Sequence, residues 1–247
     1  MANRYWAAST VNQLAFPVGV PAGFDQSHPA AVNPRLSVVK AAGGNFRDVL
    51  TGLIGTPEAG GAASSTTLSH TGPSYLGTAV ANTGIKFAGK STLNDTSITM
   101  AAIGVSGASG NRFFVNSSFA TTGGWAFGGS GANVLIQEWA TAGFTTSSGV
   151  TLLVAGVPVF FAVSIDGATA HFIARHLDSG KILKNTKTGL ALTPAAPDGT
   201  YTAGGHSTRQ LTAADSMAAG MASAVFLNMP QLEQWARDPW AYWYPRH

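Results

Sequence analysis

From about Thr78 onward, short runs of apolar and β-branched residues are separated by clusters of Gly, Asn, Asp and Ser, at the spacing expected of a β-sandwich. The pattern predicts strands near 84–88, 97–105, 111–117, 132–139, 149–154, 158–165, 168–176 and 218–227. The clearest pair is Val157-Pro-Val-Phe-Phe-Ala-Val-Ser-Ile165 and Ala168-Thr-Ala-His-Phe-Ile-Ala-Arg-His176, joined by Asp166-Gly167. An Asp-Gly pair between two such runs favours a type I′ turn, whose positive φ angles match the twist of the strands, so a hairpin is expected here. In its second strand Ala170, Phe172 and Ala174 alternate with His171, Ile173 and Arg175. The second set makes the more polar face, which should meet solvent or a partner.

Two segments break this pattern. The first forty residues hold Pro17, Pro21, Pro29 and Pro34 among short apolar pieces, which disfavours helix or central strand. They are read as an extended arm, 1–40, lying on a neighbour ahead of a sandwich spanning 41–247. Near the other end, Asn228 can cap a helix over Pro230–Arg237, with Pro early in the helix and Asp238-Pro239 stopping it. Leu232, Trp235 and Ala236 fall on one side of it and should dock on the sandwich. The stretches 106–131 and 186–216, rich in Gly, Ser, Thr and Pro, read as long loops, where recognition is usually placed.

Composition sharpens the picture. The 247 residues suffice for one large sandwich or two small domains, with a core that needs no staples. Cysteine is absent, which excludes disulfides, thiolate metal sites and thiol nucleophiles. Only 10% of residues are charged, against roughly 25% in ordinary soluble domains, so much of the surface is expected to be covered by other subunits, although extracellular β-proteins share this trait. The net charge of +3 is small and the fourteen Lys and Arg are scattered singly, so no nucleic-acid stripe is expected. Met1-Ala-Asn-Arg-Tyr-Trp is not followed by a continuous apolar run, and no stretch offers about 20 uninterrupted apolar residues. Neither a classical signal nor a membrane span is therefore expected.

The C-terminal segment reads Ala222-Ser-Ala-Val-Phe-Leu-Asn228, Met229-Pro-Gln-Leu-Glu-Gln-Trp-Ala-Arg-Asp-Pro-Trp240, then Tyr242, Trp243 and Tyr244. It resembles the hydrophobic strand, short helix and "P-W" ending of concanavalin A-like (laminin-G-like) jelly rolls found in phage and prophage virion proteins. Near the start, Gly23-Phe-Asp-Gln-Ser-His-Pro29, followed by Asn45-Phe-Arg-Asp-Val-Leu-Thr-Gly52, is similar to that family's opening segment and its "D-L-x-T/S-G" turn; Asn33-Pro-Arg-Leu-Ser-Val-Val39 stands where a Gly-Leu-Val strand would be. The resemblance implies an all-β, two-sheet antiparallel jelly roll and a virion setting, with other virion subunits as partners and a homo-oligomeric assembly.

Candidate chemistry is sparse. Glycan-cleaving enzymes of this fold place paired carboxylates on one strand, about 5 Å apart, so that one attacks while the other protonates the leaving oxygen. Here Glu138, Asp166, Asp178 and Asp198 have no carboxylate two or four positions away. His171 and His176, five apart on one strand, point to opposite faces and do not make a metal pair. A calcium site of loop oxygens involving Asp95 or Asp198 stays open. No cofactor is expected, and neither a nucleophile elbow nor a phosphate loop is present. Trp125, Phe127 and Trp139 are either a stacking platform for a sugar ring or core and subunit-contact residues. Trp235, Pro239, Trp240 and Trp243, with Tyr242 and Tyr244, are expected to clamp the sandwich edge. The expectation is thus a non-catalytic virion structural protein (head decoration, collar, tail or fibre component), with a glycan-binding adhesin that attaches the particle to the host cell surface as the alternative.

Overall fold

The computed structural model describes residues 16–17, 22–41, 45–57, 65–68, 70–76, 84–89, 96–107, 112–115, 125–138, 145–191, 200–204, 211–212 and 214–245. In chain order the strands are β1 (Pro34–Lys40), β2 (Phe46–Asp48), β3 (Thr56–Pro57), β4 (Ser65–Leu68), β5 (Gly72–Leu76), β6 (Ile85–Phe87), β7 (Ser97–Val105), β8 (Arg112–Val115), β9 (Trp125–Ser130), β10 (Asn133–Glu138), β11 (Thr145–Ser147), β12 (Pro158–Asp166), β13 (Thr169–His176), β14 (Ile182–Lys187), β15 (Tyr201–Ala203) and β16 (Ser216–Ser223), followed by helix α1 (Met229–Arg237). They form two antiparallel sheets. The larger runs β14-β13-β12-β7-β16-β1-β2, with β5 also on β16 and β4 on β5; the smaller runs β11-β10-β9-β8-β15-β6-β3. This is a two-sheet jelly-roll sandwich.

The central strands of the larger sheet are apolar on both faces because both faces are covered. Ile98, Met100 and Ala102 of β7 and Val159, Phe161 and Val163 of β12 point between the sheets, where they meet Ile85, Phe87, Trp125, Phe127, Val134 and Tyr201 of the smaller sheet. The alternate residues Ala101, Ile103, Phe160, Ala162 and Ile173 form a second apolar layer on the outer face, beneath Leu232, Trp235, Trp240, Tyr242 and Trp243. A register shift between Met217 and Ala219 of β16 divides that strand between the two layers.

The hairpin forms with its turn one residue later than the Asp-Gly pair predicts. Asp166 pairs with Thr169, leaving Gly167-Ala168 as the loop. Gly167 has φ +52 and Ala168 is not among the positive-φ residues, which is the φ pattern of a type II′ turn. Asp166 instead accepts a 2.9 Å hydrogen bond from Ser97 Oγ. On the predicted polar face, Ile173 is covered by the C-terminal segment, while His171 bonds Thr186 at 2.8 Å and packs on Phe226. His176 faces the other way, with its Nε2 2.9 Å from Leu152 O.

Two expectations change. Residues 34–40 are strand β1, paired with β16 and β2 inside the larger sheet, so the arm boundary at 40 falls at the end of a core strand. Proline is tolerated there because Pro34 is the strand's first residue, where a missing N–H costs little. Ahead of β1, Phe16 and residues 22–31 pack on their own chain's C-terminal aromatics. The segment 149–154 is not a strand: Leu152 and Leu153 are buried, but both their N–H groups donate to Ala132 O, at 2.9 and 2.8 Å. No described helix is long and apolar enough to cross a membrane.

Candidate functional site

The two segments at opposite ends of the chain that carry the resemblance meet on the outer face of the larger sheet. Gly23 N and Asp25 N donate to Trp243 O and Tyr242 O, at 2.8 and 3.1 Å. Phe24 packs edge-on against Tyr242, with centroids 5.5 Å apart. Asp25 Oδ1 accepts from both Ser27 N and Ser27 Oγ, at 2.8 and 2.7 Å, which turns the chain toward His28. His28 is buried against Trp235 and Tyr242, and its Nδ1 accepts from Ala30 N at 3.0 Å. Burial lowers its pKa to about 3 and keeps the ring neutral.

Across from this segment stands the turn after β2, built by Asp48. Its buried carboxylate accepts from Ser37 N and Leu50 N, both at 3.2 Å, and from Thr51 Oγ1 at 2.6 Å. Gly52 closes the turn with φ +76, donating to Asp48 O at 2.8 Å. These bonds give the Asp48-to-Gly52 motif its mechanism: the carboxylate holds the backbone, the threonine reports back to it, and only glycine takes the last conformation without strain.

Between these walls lies a cleft of about 610 Å³, lined by Phe24, Gln26, Pro34, Arg35, Val49, Leu50, Thr51 and Gly89. Gln26 and Thr51 are exposed at the mouth, while Phe24, Arg35, Val49 and Leu50 are half-buried. The volume falls in the ligand-pocket range of roughly 300–1,000 Å³. An aromatic ring, an amide, a guanidinium and a hydroxyl converge there, combining an apolar surface for C–H groups with donors and acceptors for hydroxyls.

The residues singled out by sequence sit elsewhere. Trp125 and Phe127 belong to β9 and are fully buried between the sheets, with Phe127 stacked on Phe161 at 4.9 Å. Of the two readings left open for them, these rings take the core one and offer no platform to a sugar. Trp139, Asp95 and Asp198 lie outside the described residues, as do large parts of the 106–131 and 186–216 stretches. Trp235, Pro239, Trp240 and Trp243 are buried, but over the outer face of the larger sheet rather than at the sandwich edge. Trp235 rests on Phe160 at 5.0 Å and donates from Nε1 to Pro239 O at 3.3 Å. Among the described residues no group of three His, Asp or Glu side chains could hold a metal ion.

The class defined by these sheets is the jelly-roll β-sandwich. No protein-family profile and no curated protein matches the chain, whereas solved structures share its fold. Domain 4 of AbnA, an extracellular arabinanase from Geobacillus stearothermophilus solved with arabinotriose, has a TM-score of 0.56 at 10% identity over 83% of this chain and 99% of its own. The binding domain of Paraclostridial Mosquitocidal Protein 1 has a TM-score of 0.57 at 10% identity, covering 82% of this chain and 51% of that one. The ligand-binding domain of botulinum neurotoxin serotype D, solved with N-acetylneuraminic acid, has a TM-score of 0.54 at 11% identity over 83% and 50%. The chain thus spans about half the length of the latter two.

Proposed function

We propose that this chain is a non-catalytic carbohydrate-binding module whose cleft takes a short oligosaccharide. Phe24 presents a ring to one sugar face, and Gln26, Arg35 and Thr51 bond its hydroxyls. The observation that carries this reading is the convergence of those four side chains on one cleft of about 610 Å³. It draws support from fold neighbours solved with arabinotriose and with N-acetylneuraminic acid.

An oligosaccharide array followed by titration calorimetry tests it. Phe24→Ala should weaken binding at least fivefold, from about 1 kcal/mol of lost aromatic contact. Gln26→Ala, at an exposed position, should weaken it without changing the melting temperature. Failure of every sugar to bind, or wild-type affinity in both variants, would contradict the proposal.

A second, compatible reading is that the module is carried on a multi-subunit particle such as a virion. The charged fraction of 10% favours it, since a surface so poor in charge suits coverage by neighbours. Sedimentation at micromolar concentration decides: a closed oligomer supports this setting, and a monomer removes its motive.

A further inference from the structure

Among the described residues that line the cleft, Arg35 is the only one with an ionisable side chain, so the formal charge they bring to it is positive. A local irregularity of the sheet sets its place. Pro34 and Leu36 of β1 stand opposite Ser223 and Ala222, which are consecutive in β16, so Arg35 is the extra residue of a β-bulge. A bulge re-aims the side chain it inserts and is a common device beside binding sites. Leu36, the next residue, is fully buried between the sheets, while Arg35 is half-buried on the cleft wall.

The acids on the same wall segments are turned to their own backbone. Asp25 Oδ1 accepts from Ser27 N and Ser27 Oγ, and the buried Asp48 accepts from Ser37 N, Leu50 N and Thr51 Oγ1. Neither lines the cleft. The backbone donors of the opposite wall are committed too, Val49 N to Ser37 O at 2.7 Å and Leu50 N to Asp48. Thr51 gives its hydroxyl proton to Asp48 Oδ2 at 2.6 Å, so it meets a ligand as an acceptor. The cleft therefore offers a guanidinium and the Gln26 amide as side-chain donors, and at Thr51 an acceptor that suits a sugar hydroxyl and repels a carboxylate.

We propose, taking the cleft as the saccharide site, that its ligand is an acidic saccharide whose carboxylate is held by Arg35. A planar carboxylate can accept two parallel bonds from the guanidinium fork, which a single hydroxyl cannot match. Phe24 then takes the ring face, and Gln26 and Thr51 take hydroxyls.

Titration calorimetry on the full chain compares two acids with their own methyl esters, which keep the sugar rings and remove the charge: trigalacturonic acid and sialyllactose. At least one acid should bind about tenfold or more tighter than its ester, from the loss of charge-assisted bonds. That margin should narrow between about 50 and about 300 mM sodium chloride, as screening requires. Arg35→Gln should bring the affinity of the acid down to that of the ester and leave that of the ester unchanged. The acid–ester and salt comparisons are made on the wild-type chain, so they stand even where this strand variant folds poorly. Equal affinity of acid and ester in both pairs, or no binding of either acid, overturns the proposal. Equal loss of acid and ester in a folded Arg35→Gln also overturns it, since the side chain would then support the wall rather than hold the charge. Neutral sugars that bind and are weakened by Phe24→Ala would leave the cleft reading intact while the acidic ligand falls. Binding indifferent to Phe24→Ala would remove both.

Discussion

His28 shows how one residue ties the ends of the chain together and exposes the tie to acid. Its ring lies between Trp235 and Tyr242, and Nδ1 must stay unprotonated to accept from Ala30 N. With the pKa lowered from 6.5 to about 3 by burial, the unfolded chain binds a proton between those values that the folded chain does not. The stabilisation is therefore complete above the unfolded value and is lost as the pH falls, by up to about 1.4 kcal/mol per unit. Urea melts at about pH 7 and about pH 5 should show this loss, and His28→Asn, which can still cap Ala30, should show a flatter profile. At this scale the sequence speaks unevenly. The Asp48-to-Gly52 motif is visible because its parts are adjacent. Phe24, Gln26, Arg35 and Thr51 are not visible as a site, because nothing in the chain marks three separated segments as walls of one cleft. For Trp125 and Phe127 the core alternative holds, whereas the loop reading of the stretch around them fails: the glycines suggest a loop, yet Gly129 is a strand residue at which a Cβ would come within 2.9 Å of Ser106 Oγ.

Among the elements, those written by local chemistry are the ones the sequence shows. Helix α1 has a complete capping box between Asn228 and Gln231, and Pro230 stands in its first turn. The hairpin is legible for the same reason, although its register moved by one residue because glycine was favoured at the first loop position. Strand β1 is hidden because its start lies among prolines, and 149–154 is misread because a run of apolar and β-branched residues reports burial, here of the adjacent Leu152 and Leu153, rather than extension. The contact between β7 and β16 is hidden as well, since it depends on Gly104. A Cβ there would lie 2.0 Å from Ser216 O, a backbone atom, so the strands could not keep their spacing. Gly104→Ala is expected to cost about 1–3 kcal/mol, as overpacking does, read as a lower denaturation midpoint with an unchanged slope. A variant as stable as the wild type would place the two strands further apart than they are here.

At the scale of the whole molecule, the sandwich carries a third layer. The outer face of the larger sheet is apolar and is covered by the chain's own α1, aromatic tail, Phe16 and residues 22–31. Thr99 and Ser164 fasten the connection into that layer, with Thr99 Oγ1 2.7 Å from Val225 O and Ser164 Oγ accepting from Leu227 N at 2.7 Å. Part of the low charge content is thereby accounted for within a single chain. Trp240, packed edge-on to Phe16 and Tyr244, should be among the residues that hold this layer down. Trp240→Ala is expected to cost about 3–5 kcal/mol and to lower the melting temperature by roughly 10 °C, with a rise in dye binding as the outer face opens. Because this layer also forms one wall of the cleft, the variant should weaken sugar binding as well as stability.

The most direct measurement is a ¹⁵N–¹H titration of the wild-type chain with the tightest oligosaccharide found on the array. The account predicts saturable shifts confined to Phe24, Gln26, Arg35, Leu50, Thr51 and their immediate neighbours. Saturable shifts centred on the 106–131 or 186–216 stretches, with the cleft silent, would contradict it.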